Sequence, residues 1–254
     1  MNEIRIVSDN KELFCHAPAT FDEMTREQFI LTAQKILHAV AGIEDDSYFH
    51  RMAGIDKKMW DKFHFFHRYS IKQLFDFTAE EPHISKQLLP YMEIDGQRLI
   101  GYQPGFSNTT WQEFVFADQY IINGKYREAA ACLYRPQRPD YAGETDRRIP
   151  FTIYGANSRM QHFNKLPEAE LFAFVLNYKA LRKRNLEGKY PFVFASSKQS
   201  QKSTEDNSQF SWVAIHRTLM GDHFYDETKF YELSVHVILN RLNAVIQENR
   251  HSKK

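Results

Sequence analysis

TTWQEFVFADQYIINGKYREAAACLYRP, residues Thr109 to Pro136, holds the densest run of structural signals in the chain. Thr110 and Glu113 stand at capping-box spacing, so hydroxyl and carboxylate can each accept from an amide that a helix start leaves unpaired. Trp111, Phe114, Val115, Asp118, Ile121 and Ile122 then share one helical face. Asn123-Gly124 stops that helix, Tyr126 to Tyr134 forms a short alanine-rich second one, and Pro136 drives the residue before it out of helical conformation. Two helices with defined ends point to a mainly α fold, and the flanks agree.

On the N-terminal side, Tyr91 to Ile94 and Gln97 to Ile100 flank Asp95-Gly96, the strongest short-range signal for a hairpin with a type I′ turn. The predicted fold class is therefore a multi-helix bundle with a small β-hairpin around residues 91–100. Further back, Lys57 to Phe75 reads as one helix burying Met59, Trp60, Phe63, Phe66 and Leu74. Phe63, Phe65 and Phe66 cover more than one helical face, so at least one of these rings should turn toward a neighbouring element or a partner. Thr25 and Gln28 form another capping box ahead of the stripe Phe29, Ile30, Ala33, Ile36, Leu37 and Val40, which Gly42 closes. About the first 20 residues read as a strand or an extended arm.

On the C-terminal side, residues 135–150 read as a polar loop carrying Arg135, Arg138, Arg147 and Arg148. Leu166-Pro167-Glu168 opens a helix with proline in its first turn. Its apolar face is Leu171, Phe174, Val175, Tyr178 and Leu181, and Lys179, Arg182, Lys183 and Arg184 crowd its end, where the helix dipole favours cations. Residues 196–209 have the composition of a flexible polar linker. Beyond it come a helix from Phe210 to Met220 and one from Glu227 to Glu248, with the stripe Tyr231, Val235, Ile238, Leu242 and Val245. The expected organisation is a helical main body at 1–195 with the hairpin inserted, the linker at 196–209, and a C-terminal helical pair at 210–254 docking on the main body.

Composition excludes several classes. With 26% charged and 15% aromatic residues among 254, and only 10 Gly and 9 Pro, the chain is folded rather than disordered. A net charge of +1 gives no global field toward nucleic acid or anionic membrane. Cys15 and Cys132 match neither a disulfide framework nor a zinc pattern. The N-terminus lacks a signal-peptide core and no window reaches the length of a membrane span, so a soluble cytoplasmic protein is expected.

Few residues suggest chemistry. Asp61, His64 and His67, three apart on the expected Lys57–Phe75 helix, are ligand types for zinc or iron, but no fourth ligand stands at a diagnostic spacing. Cys15-His16 and Asp222-His223 are adjacent pairs, poorly placed for a nucleophile and its base. The clusters at 135–148 and 179–184 could meet phosphates, although aromatic interleaving is poor. A metal-dependent enzyme and a nucleic-acid-binding module are thus rival readings, and no cofactor is expected.

Three patches resemble proteins encoded in the tail-morphogenesis region of phages and prophages of the Bacteroidetes. They are Phe21 to Phe29; Trp111 to Phe114 with Ala117-Asp118 and Leu133 to Pro136; and the C-terminal helical pair after its linker. The resemblance implies a non-enzymatic tail assembly chaperone that holds a tape-measure-like partner, or alternatively a virion or tail component. On that reading Tyr231, Val235, Ile238, Leu242, Val245, Arg135 and Arg138 are the expected partner-binding residues. A homo-oligomer is compatible with it.

Overall fold

A computed structural model describes residues 1–8, 11–43, 45–143, 146–194, 212–220 and 226–251. The fold is mainly α, with a two-stranded and a three-stranded antiparallel sheet. The chain divides into two compact units, and the division does not follow the expected 1–195 body. One unit holds Met1–Leu89 and Pro167–Ala180; the other holds Pro90–Leu166 and Leu181–Lys254. The expected linker at 196–209 lies outside the described residues.

The first unit opens on a hairpin. Strand β1 (Asn2–Ser8) pairs with β2 (Lys11–Ala17) from Asn2↔Ala17 to Ser8↔Lys11. Helix α1 (Arg26–Val40) starts on a complete capping box: the Gln28 amide donates to Thr25 Oγ1 at 3.2 Å and the Thr25 amide to Gln28 Oε1 at 2.9 Å. Its apolar stripe buries Phe29 and Ala33 but ends before Val40, which is exposed. Helix α2 (Ser47–Met52), which the periodicity did not announce, buries Tyr48 and Met52. Aromatic edges knit the interior, with Phe21 T-shaped on Phe77 and Tyr48 on Phe75.

The expected helix from Lys57 to Phe75 is two helices, α3 (Lys57–Lys62) and α4 (Phe65–Gln73). Phe63 and His64 between them are extended, at ψ 137° and 151°. Each short helix has its own cap: Asp56 accepts from the Lys58 amide at 2.8 Å, and His64 Nδ1 from the Phe66 amide at 3.5 Å. The break resets the faces. Trp60 and Ile71 are buried, whereas Phe66, expected inside, is exposed. The unit is completed by most of α8 (Glu168–Arg182), whose Leu171, Phe174, Val175 and Tyr178 are buried as the periodicity predicts.

In the second unit, β3 (Tyr91–Ile94) and β4 (Gln97–Ile100) form the expected hairpin, with φ of 54° at Asp95 and 74° at Gly96, as a type I′ turn requires. A third strand, β5 (Arg135–Pro136), pairs Ile100 with Arg135 and Leu99 with Pro136. It lies at the sheet edge, where a residue without an amide proton is tolerated. Helices α5 (Trp111–Ile122) and α6 (Tyr126–Leu133) follow the sequence reading closely. Gly124, at φ 70°, turns the chain between them. Helix α7 (Ile153–Phe163), capped by Thr152, precedes α8. Helices Trp212–Met220 and Val235–His251, with the short Glu227–Glu232 turn, complete the unit. Among the described residues no helix is long and apolar enough to cross a membrane.

Candidate functional site

Of the arginines offered by the 135–150 segment, two turn inward. Arg135 and Arg148 are each 1% exposed and meet at Glu113, which is fully buried. Arg148 Nη1 donates to Glu113 Oε1 at 2.7 Å and Arg135 Nη2 to Glu113 Oε2 at 3.0 Å. Asp146 closes the set, accepting from Arg135 Nη2 at 3.0 Å and from Arg148 Nε at 2.9 Å. Other guanidinium protons go to the carbonyls of Ile149, Leu133 and Asn108. Two cations face two anions, so the group is neutral, as burial of charge demands, and among its described hydrogen bonds the Arg135 Nε proton is left without an acceptor. Burial pushes the Asp146 carboxyl up, but the Arg148 hydrogen bonds and the two guanidinium charges outweigh it and hold it below the ordinary carboxylate range. Arg135 is therefore structural, not the partner-facing residue expected. Arg138 stays half-buried and pairs with Asp140 at 3.2 Å.

The second capping box is only half a box. Thr110 Oγ1 accepts from the Glu113 amide at 3.2 Å, but the Glu113 carboxylate is committed to the two arginines. The chain supplies another way to satisfy the start of α5. The Trp111 amide donates to Leu233 O at 2.7 Å, and the Val235 amide to Thr109 O at 3.1 Å.

Those bonds fasten the C-terminal stripe to α5. Val235, Ile238 and Leu242 are buried, together with Leu239, so they are core within this unit, whereas Val245 is exposed. Tyr231 stacks on His216 with ring centroids 4.1 Å apart. Trp212 packs edge-on against Trp111 and Phe114 and donates to Asp118 Oδ2 at 2.6 Å. Asp118 also holds Arg182 at 2.7 Å, so one cation of the 179–184 cluster is likewise absorbed into the fold.

The helix break divides the metal row between two elements, leaving the His64 and His67 rings 6.5 Å apart. Asp61 lies on α3, His64 caps α4, and His67 lies within α4. Among the described residues no group of three or more His, Cys, Asp or Glu side chains could hold a metal. Cys15 is buried, which pushes its thiol up, while His16 beside it in the strand is exposed. Burial pushes the Cys132 thiol up too. Asp222-His223 lies outside the described residues.

What the break creates is a surface. Phe65, Phe66 and Tyr69 on α4 are 69%, 68% and 52% exposed. They touch one another: Phe65 stacks on Tyr69 at 6.2 Å between centroids and meets Phe66 at 5.9 Å. His64 lies against the other side of Phe66 at 5.3 Å. Beside this face, β1, α3 and α4 enclose a cleft of about 680 Å³. The excess of rings over helical faces signals such a surface in the sequence; the cleft has no such signal, because it needs the hairpin placed beside the helices.

Fold and surface together describe a mainly α protein with an exposed aromatic face. No protein-family model, no curated protein and no solved structure matches the chain.

Proposed function

We propose that this is a non-enzymatic, phage-derived assembly protein: a tail assembly chaperone that holds a long helical partner, such as a tape-measure-like protein, in the host cytoplasm. The observation that carries the reading is the contiguous aromatic face of Phe65, Phe66 and Tyr69. Rings left in water contribute little to their own fold, while each one buried under a partner is worth roughly 1.5–3 kcal/mol. The groups that would favour the rivals are engaged elsewhere, with Arg135 and Arg148 locked around Glu113 and Asp61 separated from His64 by the helix break. The resemblance of the three sequence patches supplies the kind of partner.

Co-expression with the product of a neighbouring long helical reading frame tests this. The protein should keep that product in the soluble fraction. A Phe65→Ser/Phe66→Ser/Tyr69→Ser variant should lose this capacity with an unchanged thermal melt. Failure of the native protein to hold the product, or an unimpaired variant, would overturn the reading. Stoichiometric recovery from purified particles would instead make it a tail component.

A further inference from the structure

The cleft beside the aromatic face has a marked charge imbalance. Its apolar lining is Ile4 and Val7 of β1, Met59 of α3, Phe63 at the break and Ile71 of α4. Around these stand Arg5, Lys58 and Lys62, and the sole carboxylate among the lining residues is Asp56. Asp56 is occupied as the cap of α3, accepting from the Lys58 amide at 2.8 Å. Arg5 is paired across the hairpin with Glu12. Lys58 and Lys62 make no ion pair with a described residue. They lie one turn apart on α3, a like-charge spacing that works against the helix rather than for it. In a chain of net charge +1, two lysines without a described counter-ion on the wall of an apolar cleft are a local feature, not an overflow of global charge.

We propose that this cleft is where the held protein is recognised, and that its occupant is an acidic amphipathic segment of that partner. The proposal rests on the reading of function given above and names the chemistry of its partner. Apolar side chains on one face of the segment enter between Phe63, Met59 and Ile71. Carboxylates flanking that face meet Lys58 and Lys62. A volume of about 680 Å³ suits several side chains projecting from one helical face rather than a whole helix, so the body of the segment runs on past His64 over Phe66, whose ring lies 5.3 Å from the His64 ring. A nucleic-acid strand fits less well. It needs cations spaced along a backbone path, whereas here two cations sit over an apolar floor.

Fluorescence anisotropy tests the proposal on the full chain with a labelled synthetic helix of about 18 residues, five turns. Leucines line one of its faces and glutamates flank them. Its comparators carry lysine for glutamate, or the same residues in scrambled order, and an oligothymidine serves as the nucleic-acid probe. The glutamate peptide should bind roughly tenfold tighter than the lysine one, with affinity falling as salt rises. Lys58→Glu/Lys62→Glu should reverse that preference with little change in the melt, because neither lysine pairs with a described residue and the two exposed substitutions act oppositely on the α3 dipole. Equal binding of the two peptides, binding of the scrambled peptide as tight as that of the original, preference for the oligonucleotide, no peptide binding, or an unaffected double variant would each overturn the proposal. In the co-expression assay, a Lys58→Glu/Lys62→Glu chain that still holds its partner, beside an aromatic-face variant that does not, would overturn this inference alone.

Discussion

Glu113 shows how a residue can be read correctly in spacing and wrongly in role. Its position three after Thr110 predicts a reciprocal box, and the threonine half of that box is present. The carboxylate, however, serves Arg135 and Arg148, which lie 22 and 35 residues away, and no local pattern announces partners at that range. Burial decides between the roles. An exposed carboxylate gains a few tenths of a kcal/mol from a helix start, whereas one buried between two guanidinium groups cannot leave without stranding them. Glu113→Gln should therefore cost about 3–5 kcal/mol in denaturant unfolding, far beyond a capping effect. The Thr110 cap uses the Glu113 backbone amide, so that bond survives the substitution. A loss under about 1 kcal/mol, the scale of a cap, would show that the arginines find other partners.

Elements were legible where local chemistry is redundant. The Asp95-Gly96 hairpin, α1, α5, α6 and α8 each carry both a stripe and a start or stop signal. Between α3 and α4, periodicity continues through a real break, because His64 takes the cap position without belonging to the usual capping residues. Helix α7 was hidden by Gly155 inside it and by the sparse burial of its face, chiefly Ala156 and Phe163. The C-terminal helices hold a testable contact of their own. Trp111 Nε1 can only donate, so at 3.1 Å it fixes His216 Nδ1 as an acceptor, and Nε2 then donates to Glu227 Oε1 at 3.3 Å. The Tyr231 and Phe230 rings cover the imidazole. Burial lowers its pKa below the ordinary histidine value, with Glu227 opposing only in part. The neutral ring is thus favoured in the folded state. Its contribution is complete above the unfolded-state value near 6.5 and is lost as pH falls toward the lower folded value. Melting temperature should decline on acidification from about pH 7 to 5.5, and His216→Gln should flatten that part of the decline. Parallel profiles for the two proteins would show that protonation is tolerated in place.

At the scale of the molecule, composition misled. The change in residue type at 196–209 invites a boundary there, yet the chain divides at 89–90, 166–167 and within α8 after Ala180. A continuous helix offers no composition shift to mark such a crossing. The C-terminal helices were legible as a stripe that must be buried, but not as part of the unit that contains α5, since bonds such as Trp212–Asp118 and Trp111–His216 span 94 and 105 residues. Within that unit Trp212, Val235, Ile238, Leu239 and Leu242 are all buried, and Trp212 lies edge-on against Trp111. Each such side chain contributes roughly 1.5–3 kcal/mol, so together they rival the whole stability of a domain, about 5–15 kcal/mol. Deleting residues 205–254 should then do more than trim an appendage. It exposes Trp111 and Phe114, withdraws the Leu233 carbonyl from the start of α5, and removes the Trp212 hydrogen bond to Asp118. The truncated chain should lose its near-ultraviolet circular dichroism and bind a hydrophobic dye, with much of its helical signal retained. A truncation that melts cooperatively at the native temperature would mean that α5 and its neighbours close their core without these helices.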